Sequence, residues 1–334
     1  MQIRSYTLRF LTPAFLGNAE QVGQWRTPPI KALLRQFWRV AYAAERNFNV
    51  DVAAMRHEEG VLFGHAWLEK DKDSKGRKAA ARQSAIRTRL RAPGAQPAWA
   101  EGSQQGVQPL STGLNTSYAW FGLVKRGRGE PDRRGIKAEG GPGESTRQLT
   151  LAFPTDIQQP METVIDLVHA FGLLGSRSRG GWGALHVEGA RALDGSAYRT
   201  YARDLGDCLE SDWAMSLAQD DQGTFVWETT KTFQTWPDVM QFVATHRRAV
   251  RTSLKQSKDL RPALGFALRD GRMPSPLRWK VFADQPGQLK VRIFAMPHRL
   301  PEASGIQLST SDLHLAWATV LSTLRDVREL QRVS

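Results

Sequence analysis

Apolar residues recur with a helical period in PPIKALLRQFWRVAYAAERN, where Ile30, Leu33, Leu34, Phe37 and Ala41 take the i, i+3, i+4, i+7 spacing of a buried face. Pro28 and Pro29 suit a first turn, in which a missing N–H costs nothing, and Thr27 is the expected N-cap of a helix over 29–46. A second amphipathic helix is expected over 161–174, since METVIDLVHAFGLL repeats Val164, Leu167, Val168, Phe171 and Leu174 and Gly175 follows as a C-cap. Strands are expected near Ile3 to Phe10, 84–91, 114–124 and 183–190. The order is then strand, helix, two strands, helix, strand. A second such unit follows, with helices WPDVMQFVATHRRAVRTSLK and SDLHLAWATVLSTLRDVREL and neighbouring strands LRWKVFA and LKVRIFAMP.

Between the second helix and its following strand lies FGLLGSRSRGGWG, residues 171–183, with five glycines. Each glycine costs about 1 kcal/mol in a helix interior, so the segment must turn sharply or be approached closely. Its order, helix then basic loop then strand, is the reverse of a phosphate loop that feeds a helix N-terminus. Gly181 and Trp182 also stand where a P-loop needs Lys and Ser/Thr, and no convincing G-x-G-x-x-G follows a strand. ATP and NAD sites are therefore not expected, and no cofactor is. What remains is a backbone that presents N–H groups and Arg177 and Arg179 to a phosphodiester, with Trp182 available to stack or to pack.

Charge points the same way. The chain has 334 residues, 46 Lys and Arg against 33 Asp and Glu, a net +13 and a pI near 10.2. Such a field attracts nucleic acid or anionic membrane. No apolar run approaches the roughly 18 residues of a membrane span, so no membrane partner is expected. The single cysteine, Cys208, permits no internal disulfide and fits a cytoplasmic protein. Cations crowd into 69–92 and 125–145, which read as mobile basic loops, the first running into a strand. Lys31, Arg35 and Arg39, four residues apart, form one cationic stripe on the first helix, with no acid at i+4 to relieve it. The histidines are scattered without metal-ligand spacing, and no metal is expected.

RTPPIKALLRQFWRV, LFG at 62–64 followed by a basic loop and SAIRTRLR, LLGSRSRGGWGAL, and RMPSPLRWKVF at 272–282 together resemble the RAMP superfamily of CRISPR effector proteins, and within it the type III-B Cmr branch. Ala32 and Asn18 stand where that pattern usually carries glycine. The resemblance implies an α+β chain of two tandem ferredoxin-like, RNA-recognition-type domains with long basic insertions, bounded at 1–190 and 191–334. It implies a guide-RNA-binding structural subunit of an antiviral ribonucleoprotein, capping the complex near the 3′ end of the guide and not slicing. The implied partners are guide RNA, target RNA and other RAMP subunits. The expected RNA contacts are Arg26, Lys31, Arg35, Arg39, Arg87, Arg89, Ser176, Arg177, Ser178, Arg179, Gly180, Gly181, Trp182, Arg272 and Arg278. The alternative is a metal-independent guide-processing endoribonuclease with His186 or His169 as general base beside the arginines.

Overall fold

Buried Tyr6, Leu8 and Phe10 alternate with more exposed neighbours, which makes Gln2–Phe10 a strand with one face toward the core, β1. The computed structural model describes residues 1–66, 81–92, 118–120, 123, 134–138, 146–256, 258–267, 272–301 and 305–333. After β1 come α1 (Thr27–Ala44), α2 (Val52–Phe63), β2 (Arg87–Arg91), β3 (Thr146–Phe153), α3 (Gln158–Phe171) and β4 (Leu185–Glu188). These strands form an antiparallel sheet in the order β2-β3-β1-β4. A second set follows: β5 (Val226–Thr229), α4 (Trp236–Ser253), β6 (Leu277–Gln285), β7 (Gln288–Ala295), α5 (Thr310–Arg325) and β8 (Leu330–Arg332). Its sheet is also antiparallel, in the order β6-β7-β5-β8. Both sheets thus place their strands second, third, first, fourth, and the chain is α+β. Short helices at Gly195–Arg199 and Leu205–Glu210 and a small sheet of Ala202–Asp204, Leu217–Asp220 and Gly223–Thr224 join the two sets.

Several expected boundaries move. Thr27 is inside α1 and Arg26 takes the N-cap position without a side-chain cap bond. Helix α3 ends at Phe171 with Gly172 as its C-cap, three residues before Gly175. The third strand is Thr146–Phe153 and not 114–124, because TRQLTLAF is the segment that alternates, burying Arg147, Leu149, Leu151 and Phe153. Within 114–124, Tyr118–Trp120 form a helical turn, and most of the remainder lies outside the described residues. Residues 69–80 and most of 125–145 lie outside them too. Helix α2 was not expected; Asp51 caps it, accepting N–H bonds from Ala53 and Ala54 at 2.8 and 3.2 Å.

The two halves meet where α3 ends. The last carbonyls of a helix lack intrahelical partners and carry its negative pole, so cations are favourable there. Lys280 of β6 supplies one: its buried Nζ donates to the carbonyls of Val168 (3.3 Å), His169 (2.6 Å) and Leu185 (2.7 Å). Arg292 of β7 donates through Nη1 to Ala170 O at 2.8 Å and through Nε to Glu228 at 2.7 Å. The Phe294 ring lies 4.8 Å from that of Phe171, centroid to centroid. The second sheet therefore holds the end of α3 through Lys280, Arg292 and Phe294 of one face.

Candidate nucleic-acid interface

The glycine loop is shaped by the protein's own backbone. Gly175, Gly181 and Gly183 have φ of +96°, +95° and +62°, a region L side chains rarely adopt. A Cβ at Gly175 would lie 2.8 Å from Phe15 O, one at Gly181 3.0 Å from Met240 Sδ, and one at Gly183 would run into the Leu174 carbonyl. A Cβ at Gly180 would run into the Arg247 guanidinium. The expectation that RNA lies against Gly181 is thus corrected: it is buried and its side-chain direction is filled from α4, as is that of Gly180, whose backbone still lines the cleft described next. Trp182 is also corrected, since it is fully buried, donates Nε1–H to Ala119 O at 3.1 Å, and packs among Phe15, Trp120 and Trp236. It joins the two halves and cannot stack on a base.

The loop's other side forms the wall of a cleft of about 770 Å³. Arg177 and Arg179 come from the loop, Arg247 and Arg251 from α4, and Arg272 from a short hairpin of Phe266–Ala267 with Arg272–Met273. None of the described lining residues is acidic. Arg179 is held by a 2.8 Å bond from Nη1 to Ser275 O, and burial lowers its guanidinium to about 10. Burial also lowers the Arg247 guanidinium, and the Arg177 and Arg251 charges press in the same direction. Its Cζ lies 5.5 Å from the Tyr118 ring centroid, and Phe266 adds a second aromatic to the lining. Guanidiniums gathered around one cleft repel one another, and a polyanion relieves that. Arg247 and Arg251 escaped the sequence reading, although their i, i+4 spacing in HRRAVR marks one helix face.

Ser176, Arg177, Ser178, Arg179, Gly180 and Arg272 therefore come together, and the remaining expected contacts do not line this cleft. The stripe on α1 is relieved after all, from α2: Arg35 Nε reaches Glu59 Oε1 at 2.5 Å, and Arg39 pairs with the same buried carboxylate, Nη2 to Oε1 at 2.8 Å. Burial raises the Glu59 carboxyl, but the hydrogen bonds from Arg39 and Arg35 outweigh it and the net shift is downward. Burial, then Arg35, lowers the Lys31 ammonium. Arg26 donates through Nη2 to Gly17 O at 2.9 Å. Arg278 is only 5% exposed, with its Cζ 5.9 Å from the Phe294 ring, on the face that meets the first half. Arg87 and Arg89 are exposed on β2, on another surface.

His169 and His186 line a separate cavity of about 170 Å³ with Lys280 and Arg292, and it shares no lining residue with the arginine cleft. Their rings are 4.9 Å apart, and His169 Nδ1 accepts the Val187 N–H at 3.3 Å. Burial first, then nearby cations, lowers His169 to about 3 and His186 to about 4. Among the described residues no group of His, Cys, Asp and Glu is placed to hold a metal ion, and no helix is long and apolar enough to cross a membrane.

No protein-family model matches the chain, and no curated protein matches it by sequence. Solved structures do match. Over 96% of this chain and 97% of the other, it superposes on Cmr1 from Pyrococcus furiosus in its apo form with a TM-score of 0.50 at 19% identity. A chain of the type III-B Cmr-beta complex bound to cognate target RNA matches with a TM-score of 0.49 at 11% identity, over 96% of this chain and 99% of that one. The chain has the fold of the Pyrococcus protein from end to end.

Proposed function

We propose that this chain is an RNA-binding structural subunit of a type III CRISPR ribonucleoprotein, built from two tandem ferredoxin-like domains, 1–190 and 191–334. It sits near the 3′ end of the guide RNA beside other RAMP subunits. The observation that carries the RNA reading is the arginine cleft, whose described lining is free of acid and draws cations from both halves. The repeated strand order supports the two domains, and the fold shared with Cmr1 supports the complex. Because guanidiniums dominate the lining, the contacts go mainly to phosphate, and single strands of unrelated sequence should bind within about tenfold of one another. Tyr118 and Phe266 offer ring faces that any base can stack on.

The chain is read as non-catalytic. The weakly basic His169 and His186 lie in the other cavity, with Nδ1 of His169 already engaged, which supports a structural role for both. The test is titration of the full chain with single-stranded RNA at several salt concentrations, for the wild type and for Arg247→Ala/Arg251→Ala. Two lost phosphate contacts should flatten the log-affinity against log-salt slope by about 1.4, at about 0.7 each. An unchanged slope in a variant that melts normally would overturn the assignment of the cleft.

A further inference from the structure

The helix-free face of the first sheet is a surface of unusual composition. Strand register places Arg87, Arg89 and Arg91 of β2 beside Ala152, Thr150 and Gln148 of β3, then Ile3, Ser5, Thr7 and Arg9 of β1, then Glu188 and His186 of β4. The three β2 arginines are exposed and form no ion pair with any described residue. As alternate residues of one strand they stand about 6.6–6.8 Å apart, a separation comparable with that of successive phosphates. Arg9 is half-buried, and its Nε has no hydrogen-bond partner among the described residues. Between these cations lie hydroxyls and an amide, and the face's acid, Glu188, is at the opposite edge from β2.

The second sheet shows what such a face does when it meets protein. Its helix-free face also carries cations on the second strand, Arg278 and Lys280, but they are set among Phe282, Phe294 and Val226, which supply apolar contact. Protein interfaces have apolar cores from which charge is depleted. On the first sheet the aliphatic side chains of Ile3 and Ala152 stand at the end of the face away from Arg9, and its centre is polar. Arginine, serine, threonine and glutamine are the side chains that contact phosphodiester backbones.

We propose that this face, through Arg87, Arg89, Arg91 and Arg9, is a second RNA-contact surface, separate from the cleft, that takes the sugar–phosphate backbone of a single strand. The proposal rests on the RNA-binding reading above. It gives the chain two footprints, so a long strand engages both and a short one only the cleft.

The experiment uses the full chain, the variants Arg87→Ala/Arg89→Ala/Arg91→Ala and Arg247→Ala/Arg251→Ala, and oligouridylates of about six and about twenty-four nucleotides. The β2 triple variant should bind the long RNA about tenfold more weakly, with a salt slope lower by about 2, and should bind the short RNA as wild type does. The matching triple lysine variant should keep the wild-type slope, since it keeps the charge. If the alanine triple leaves long-RNA binding unchanged while the cleft variant weakens both RNAs, this inference falls and the cleft stands. If the wild type binds neither RNA, both fall. If the triple variant loses affinity for polyglutamate but not for long RNA, the face takes acidic protein and the proposal is wrong.

Discussion

On β6 the helix-free face turns Lys280 into the end of α3, where three backbone carbonyls close around its ammonium. On β2, the corresponding strand of the other sheet, Arg87, Arg89 and Arg91 point into solvent without an acidic partner among the described residues. The strand order is the same and the cations are similar, yet one set is consumed by the fold and the other is available. Burial decides between them, not charge. A cation that is desolvated against a helix end is part of the folding free energy, and one left in water keeps its capacity for a ligand.

The sharpest way to break the comparison is to remove the consumed cation. Lys280→Met keeps the stem and deletes the donor, which leaves the carbonyls of Val168, His169 and Leu185 without their ammonium in a dry junction. Each buried carbonyl left without its donor costs about 1–3 kcal/mol, relief of the desolvated ammonium offsets part of the sum, and a urea titration should show a net loss of about 3 kcal/mol. A loss below about 1 kcal/mol would mean that water reaches those carbonyls and the junction is not dry. Gly183→Ala should come next, at about 2–3 kcal/mol, because the new Cβ meets the Leu174 carbonyl at a positive φ. The glycine loop thereby belongs to the junction: RNA affinity of the folded fraction should not change, and a loss of affinity at constant stability would return the loop backbone to the ligand.

Acid probes the same junction without mutation. His169 and His186 are held at about 3 and about 4 in the folded protein, below the ordinary histidine value near 6.5. In the unfolded chain they take up protons near 6.5, so the unfolded state binds more protons between that value and the folded ones. Stability is then full above about pH 6.5 and declines as pH falls toward 4. Discounted for partial exposure, the loss between pH 7 and 5 should be about 2 kcal/mol in urea titrations, and His169→Gln/His186→Gln should flatten that part of the curve. An equal slope in the double variant would assign the protons elsewhere.

Much of the fold was legible because its signals are local. The apolar stripes of α1 and α3 and the dense runs of β6 and β7 need only their own residues to be read, and all four form close to where the spacing puts them. Helix α2 was not legible, since its buried residues include Glu59 and Gly60 and give a weak apolar stripe. Of the site, the basic loop was visible and the meaning of its glycines was not. What fills the space beside Gly175 and Gly181 is Phe15 and Met240, distant in sequence, and no window along the chain contains them. The same holds for the α1 stripe, whose partner Glu59 comes from a helix that was not foreseen. Arg278 and Arg87 looked alike as letters, and only the packing of the halves separates them.

The smallest stability effect should come from the available set, and its smallness is the other arm of the comparison. Arg87→Ala/Arg89→Ala/Arg91→Ala removes three exposed like charges from one strand of a chain with net charge +13, and touches no hydrogen bond shown for these side chains. Surface substitutions of this kind stay within about 0.5 kcal/mol each, and relief of mutual repulsion offsets part of the strand propensity lost to alanine. The midpoint in urea should therefore move little, in either direction, while Lys280→Met moves it far. A triple variant as unstable as Lys280→Met would mean that the chain itself covers this face as it covers the other, that these arginines are also consumed by folding, and that the two sheets do not differ in the way their exposure indicates.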